Sequence, residues 1–172
     1  MLVNLYPPRR WRCRHRPRCT GGFTLIEAAV VMALVAIVAT IAAPSFRSFI
    51  GTMNSKSAAF DLISDLTAAR SEAIKRNQIV TVTPIDGDGD WAKGWVVAAS
   101  GATLRERAAL TSSLSVANAS ANVTFAPNGR LSSDTAPNNQ KWSISSSVAG
   151  VTARCVVISP TGSARSKPGG CT

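Results

Sequence analysis

The chain has 172 residues, 45% hydrophobic and only 16% charged, which argues against disorder and leaves room for one domain plus an appendage. Formal net charge is +10, but six arginines (Arg9, Arg10, Arg12, Arg14, Arg16 and Arg18) sit in residues 1–22 with no acid, and without them the balance is 13 minus 9, or +4. The only histidine, His15, lies in the same segment, so the body has no imidazole base and no histidine-containing metal site, which argues against most enzymes.

In residues 1–22, Pro7, Pro8 and Pro17 prevent a regular helix. Residues 23–43 follow, from Phe23 to Ala43, with Glu27 as their single charge. At about 1.5 Å per residue this run spans roughly 30 Å, one hydrocarbon core. The preceding arginines mark its N-terminal side as cytoplasmic. An ordinary signal anchor or a cleaved secretory signal would share these features, although a secretory signal has a shorter apolar core.

Pro44 should kink or loosen the helix. Residues 44–76 are then amphipathic, with Ile50, Met53, Leu62, Leu66, Ala69 and Ala73 on one stripe and Lys56, Asp61, Asp65, Arg70, Glu72 and Lys75 around the rest. After Asn77 the period changes. Ile79–Pro84, Gly94–Ala98, Val123–Phe125, Lys141–Ser145 and Arg154–Ser159 read as strands, with weaker signals at Leu104–Ala109 and Ser113–Val116. Turn-forming clusters separate them at residues 86–90, 126–129 and 134–139. The expectation is an α+β fold, a long N-terminal helix packed on a small, mostly antiparallel sheet domain at residues 77–172.

The junction reads Thr20-Gly-Gly-Phe-Thr-Leu-Ile-Glu27: a basic leader ending in glycine, then phenylalanine opening an apolar helix, with glutamate fifth from it. It closely resembles the type IV prepilin signal of pilins and type II secretion pseudopilins. The resemblance implies a type IV pilin-like fold, removal of residues 1–22 by a prepilin peptidase cutting after Gly22, and N-methylation of Phe23. It also implies that Glu27 meets the free N-terminal amine of a neighbouring subunit; position alone would allow a solvated carboxylate near the membrane surface. Asp90-Trp-Ala-Lys-Gly-Trp95, Phe125-Ala-Pro-Asn-Gly-Arg130 and Arg154-Cys-Val-Val-Ile-Ser-Pro-Thr-Gly162 resemble, in order, segments of the FimT and type II secretion protein H group.

Membership of that group implies a minor pilin or pseudopilin: a single-pass inner-membrane subunit whose domain faces the periplasm. Its partners would be other pilins, the prepilin peptidase and the membrane, with no cofactor and no enzymatic activity. Pilus and secretion pseudopilus stay open. Cys155 and Cys171 fall on the exported side, where a disulfide survives; two free thiols are the alternative. FimT proteins of transformable bacteria carry a GRxR motif in the loop before the last cysteine. Here Gly162 and Arg165 match it, Ser163 replaces the first arginine, and Lys167 follows, so DNA contact at Arg165 and Lys167 stands beside an ordinary solvated face. Asp86-Gly-Asp-Gly-Asp90 reads as a solvated turn, since an EF-hand register counted from Asp86 places Trp91 sixth and Val97 twelfth; a calcium loop is the other reading. Cys13, His15 and Cys19 could suggest a metal, but in a segment the resemblance says is removed. Trp91 and Trp95 fit core packing or a binding surface.

Overall fold

The computed structural model describes residues 22–132 and 140–171. The leader up to residue 21 and the turn expected at 134–139 lie outside the described residues. The chain divides into two compact units, at residues 1–39 and 40–172.

Helix α1 runs Leu25–Arg76 and carries Pro44 inside it. Thr24 Oγ1 accepts from the Glu27 N–H at 3.2 Å, satisfying an orphan donor of the first turn. The far end is closed by Asn77 in the left-handed region (φ 51°). There the Asn77 N–H donates to the Ile74 carbonyl and the Gln78 N–H to the Ala73 carbonyl, a Schellman closure.

In the first unit the described residues 22–39 expose every side chain. The 18-residue apolar window of α1 has a mean hydropathy of 2.6 and is 0% buried, so the helix is long and apolar enough to cross a membrane.

The second unit packs the later part of α1 against two four-stranded antiparallel sheets. Strands β1 (Val80–Pro84), β2 (Trp95–Ala99), β3 (Ala102–Arg107) and β5 (Val123–Phe125) form one sheet in the order β3-β2-β1-β5. Strands β4 (Leu114–Ala117), β6 (Gln140–Ser146), β7 (Arg154–Ile158) and β8 (Ala164–Pro168) form the other in the order β4-β6-β7-β8. Register aligns Val80 with Ala99 and Phe125, and Val82 with Val97 and Val123, so alternate residues share the inner face. The second sheet adds Trp142, Ile144, Val156 and Ile158 to the same core. From α1 come Ala58, Ala59, Leu62, Leu66, Ala69 and Ala73. The four alanines let the helix approach closely, and each fully buried large apolar side chain contributes about 1.5–3 kcal/mol.

Three expectations need correction. Ile50 and Met53 are exposed rather than on the buried face, which begins at Gly51 and runs through Ser55 and Ala58. Asp65, read as surface decoration, is 3% exposed. Residues 162–167, read as a loop, contain most of strand β8.

Candidate functional site: the helix junction and the outer face of the second sheet

Gly22 and Phe23 precede the first helical residue, and both are exposed. A Cβ built on Gly22 would meet nothing within 4 Å. The junction is therefore sterically open at Gly22. Thr24 and Glu27 stand three apart, a Ser/Thr-x-x-Glu pattern that also specifies a helix start. That signal was present in the sequence beside the processing motif. It stops the helix short of Phe23 and leaves Gly22 and Phe23 out of the hydrogen-bond ladder. Glu27 itself is exposed on the first turn.

The three body motifs are structural. Asp90 Oδ1 accepts from the Ala92 N–H at 2.9 Å and so caps a short 3-10 turn at Trp91–Lys93. Trp91 is fully buried, its Nε1 donating to the Ser120 carbonyl at 2.8 Å. Its ring lies 6.2 Å from Trp95 and 5.3 Å, edge-on, from Trp142. Both Trp91 and Trp95 are core residues, which settles the choice between packing and surface. The Phe125–Arg130 and Arg154–Gly162 motifs each carry a glycine with positive φ in their turn, 73° at Gly129 and 79° at Gly162. A Cβ on Gly162 would lie 2.3 Å from the Gly129 carbonyl oxygen. The two turns thus nest on each other and against Arg70 of α1, whose NH1 donates to the Gly162 carbonyl at 3.4 Å.

Asp65 joins α1 to the first sheet. Its Oδ1 accepts from Arg105 at 2.9 Å, and its Oδ2 accepts from Trp95 Nε1 at 3.1 Å and Arg107 Nε at 3.2 Å. Burial of this carboxylate is tolerable because all three donors converge on it.

In the acidic turn, Lys93 Nζ pairs with Asp86 at 3.3 Å and also with Asp88. The hydrogen bond from Lys93 is the chief cause that holds the Asp88 carboxyl below its ordinary range, and the same contact raises Lys93. Within this turn the chain's own Lys93 ammonium pairs with two of its three carboxylates. Among the described residues no three histidine, cysteine or acidic side chains gather in a metal-binding group. Cys13, His15 and Cys19 lie outside those residues.

Cys155 and Cys171 are joined by a disulfide with a Cα–Cα distance of 4.9 Å. It draws the tail back over the second sheet, where Cys171 Sγ lies 3.2 Å from the Trp142 carbonyl oxygen. Arg165 and Lys167 are two apart on β8 and both exposed, so they point from one face. Register sets Arg165 opposite Val157 and Lys167 opposite Cys155, while Lys141 of β6 faces Val157 from the other side. The structure thus brings Arg165, Lys167 and the disulfide together, with Gly22, Phe23 and Glu27 in the other unit.

A long helix beginning at a glycine–phenylalanine junction, apolar at first and then packed on antiparallel sheets, defines a pilin-like subunit. The chain belongs to the Type II transport protein GspH family, whose profile matches residues 58–162. The Prokaryotic N-terminal methylation motif matches residues 17–43. Among solved structures, the type IV minor pilin FimU of Pseudomonas aeruginosa (strain PAO1) in space group P21 is 29% identical, with a TM-score of 0.56 over 66% of this chain and 87% of that one. A second crystal form of FimU, in space group P65, gives 29% identity and a TM-score of 0.55 over 66% and 92% of the two chains. No curated protein sequence matches the chain. The family and fold are those of structural pilin subunits, and the apolar helix is the membrane anchor.

Proposed function

We infer that the chain is a minor subunit of a type IV pilus or a type II secretion pseudopilus, made in the inner membrane with its domain on the periplasmic side. The observation that carries this reading is the union on one chain of a methylation motif at residues 17–43 and a GspH-type domain at residues 58–162. Prepilin peptidase cuts after Gly22, and the new amine at Phe23 is methylated. The apolar segment then leaves the bilayer and packs among equivalent helices of neighbouring pilins. There Glu27 pairs with a neighbour's N-terminal amine, since a carboxylate in an apolar bundle needs an opposite charge. Mass analysis of membrane-extracted protein tests the first step. N-methyl-Phe23 is the expected N-terminus, and an intact leader in cells with active peptidase would refute it.

A second reading adds weak DNA contact at Arg165 and Lys167. It is favoured by their shared exposed face on β8, with Lys141 two strands away. Two to four phosphate contacts give a log–log salt slope of roughly 2–4 in magnitude on duplex DNA. Arg165→Ala should weaken binding to all sequences alike, because phosphates carry no base code. Binding that ignores this substitution would remove the second reading.

A further inference from the structure

Charge in the second unit is sorted along the chain. Residues 44–60 and 140–171 carry Arg47, Lys56, Lys141, Arg154, Arg165 and Lys167 and no acid. Residues 61–132 carry seven acids and seven bases. The excess positive charge therefore belongs to the start of the unit's helix and to β6, β7 and β8.

Three of those six cations, Arg47, Arg154 and Lys167, lie at the end of the unit that holds the 147–153 loop, Arg154 and Lys167 on opposite faces of their sheet. The loop between β6 and β7 packs on α1 just past the apolar run: a Cβ on Gly51 would lie 2.7 Å from Val151 Cγ2, and one on Gly150 lies 3.8 Å from Ser48 Cβ. Arg47 is exposed beside Ser48. Arg154 opens β7 directly after the loop, and its Nε donates to Ser166 Oγ at 3.3 Å. Lys167 is exposed opposite Cys155, the next residue of β7. Apolar groups are interleaved with these cations: Phe46 is 63% exposed and Phe49 56%, and Ala149 is exposed at the loop tip.

Ser48 and Gly51 follow Ala43, the last residue of the apolar run, by five and eight residues. Along a helix that is about 7.5–12 Å of rise. The headgroup layer adds roughly 5–8 Å beyond the hydrocarbon on each side. A cationic end with exposed aromatics this close along the chain to a membrane span matches an anionic lipid surface. A polynucleotide on the same end would have to approach an anionic bilayer that repels it.

We propose that this end of the domain, made by Phe46, Arg47, Phe49, the 147–153 loop, Arg154 and Lys167, docks on the headgroups of anionic phospholipids while the subunit waits in the membrane. The proposal rests on the membrane-anchored reading above. Each cation near an anionic surface is worth roughly fivefold in occupancy. Docking would hold the domain against the bilayer until a filament withdraws it.

The test uses the full chain with Cys13 and Cys19 replaced by serine, in nanodiscs of phosphatidylcholine alone or with one third phosphatidylglycerol. A nitroxide is placed by Ala149→Cys or, as a distant control, by Thr161→Cys. Spin-label accessibility to oxygen and to a water-soluble relaxant is then measured. The Ala149 label should sit at headgroup depth in the anionic discs only and return to water in high salt. The same return is expected in the combined Arg47→Gln, Arg154→Gln, Lys167→Gln chain. The Thr161 label should stay aqueous throughout. An Ala149 label that is aqueous in both discs, or equally immersed in both, overturns the proposal, as does displacement of that label by duplex DNA at equal lipid charge. If the triple variant does not fold, the salt series decides. Resistance to alkaline extraction separates the two readings: an anchored chain with an aqueous Ala149 label defeats only the docking edge, whereas an extracted chain defeats the anchoring reading and the edge with it.

Discussion

At the scale of single residues, Asp65 has the largest expected effect on stability. Its side chain is 4% exposed, whereas its partners Arg105 and Arg107 are 54% and 37% exposed. The asymmetry decides the cost of each deletion. Asp65→Ala leaves the buried Trp95 indole N–H and the Arg105 guanidinium without an acceptor and Arg107 with Asp61 alone, and should cost about 2–4 kcal/mol. Arg105→Ala removes one solvent-screened donor and should cost about 1 kcal/mol or less. Urea unfolding in mild detergent, followed by tryptophan emission, measures both; equal losses would contradict the account. The Asp88–Lys93 pair gives a test in pH. Lys93 holds Asp88 below its usual range, so the pair's contribution is present above the unfolded carboxyl value and fades as pH falls through the lower folded one. Lys93 is raised, so its part is complete below its unfolded value and is lost as pH rises through the higher folded one. The gap in unfolding midpoint between the natural chain and Lys93→Met should therefore be flat from about pH 5 to 9 and close below about pH 4. A gap that widens in acid would show that the ion pair is not its source.

At the scale of elements, the second sheet ends in a strand that its own residues specify weakly. Strand β8, Ala-Arg-Ser-Lys-Pro, has no β-branched or aromatic residue and closes on proline. It forms because β7 offers an open edge and because the turn at Gly162 and the disulfide at Cys171 hold both its ends. Gly162→Ala would push a Cβ into the Gly129 carbonyl at positive φ, and should cost about 1–3 kcal/mol. Amide exchange should show β8 protection falling before that of β1 or β2; uniform loss across both sheets would argue against a local hinge role for the turn. The same weakness explains what the sequence left hidden. Strands with β-branched or aromatic alternation, such as Val80–Pro84 and Val123–Phe125, were legible to within a residue. Strand β8 was not, because tertiary pairing and not propensity makes it. Asp65 was hidden for a related reason: helical periodicity marks where a polar residue interrupts a stripe, but not the arginines that a distant strand brings to meet it. Ile50 and Met53 were grouped with the apolar stripe by composition, yet Met53 stands about half a turn from Leu62, and the face the sheets cover runs through Gly51, Ser55, Ala58 and Leu62. The N-terminal motif matched at residues 17–43 was legible because all of its signals are local in sequence.

At the scale of the whole molecule, one chain carries two units suited to different solvents. In the first, residues 28–39 expose only apolar side chains, which lipid or other apolar helices can cover. The second buries its own core and needs no such cover. An assembly role follows from this division, because covering the first unit with neighbouring helices in place of lipid leaves the second intact. The proposed role of Glu27 makes that exchange testable. In a bilayer its carboxylate is a liability near one end of the span, so removing it should not impair insertion. In a bundle of mature subunits it would face a neighbour's Phe23 amine, and a charge-assisted contact of this type is worth about 1.5–3 kcal/mol, or roughly tenfold or more in occupancy. Glu27→Ala should therefore accumulate in the membrane at normal levels, with residues 1–22 removed, while its share in sheared filaments or pseudopili falls about tenfold. Glu27→Gln keeps the shape and loses the charge; it should behave like the alanine variant if pairing is electrostatic. Immunoblots of membrane and filament fractions from the same cells measure both quantities. Normal incorporation of either variant would remove the pairing role from Glu27 and leave it as an exposed carboxylate in the first turn, whose N–H Thr24 caps.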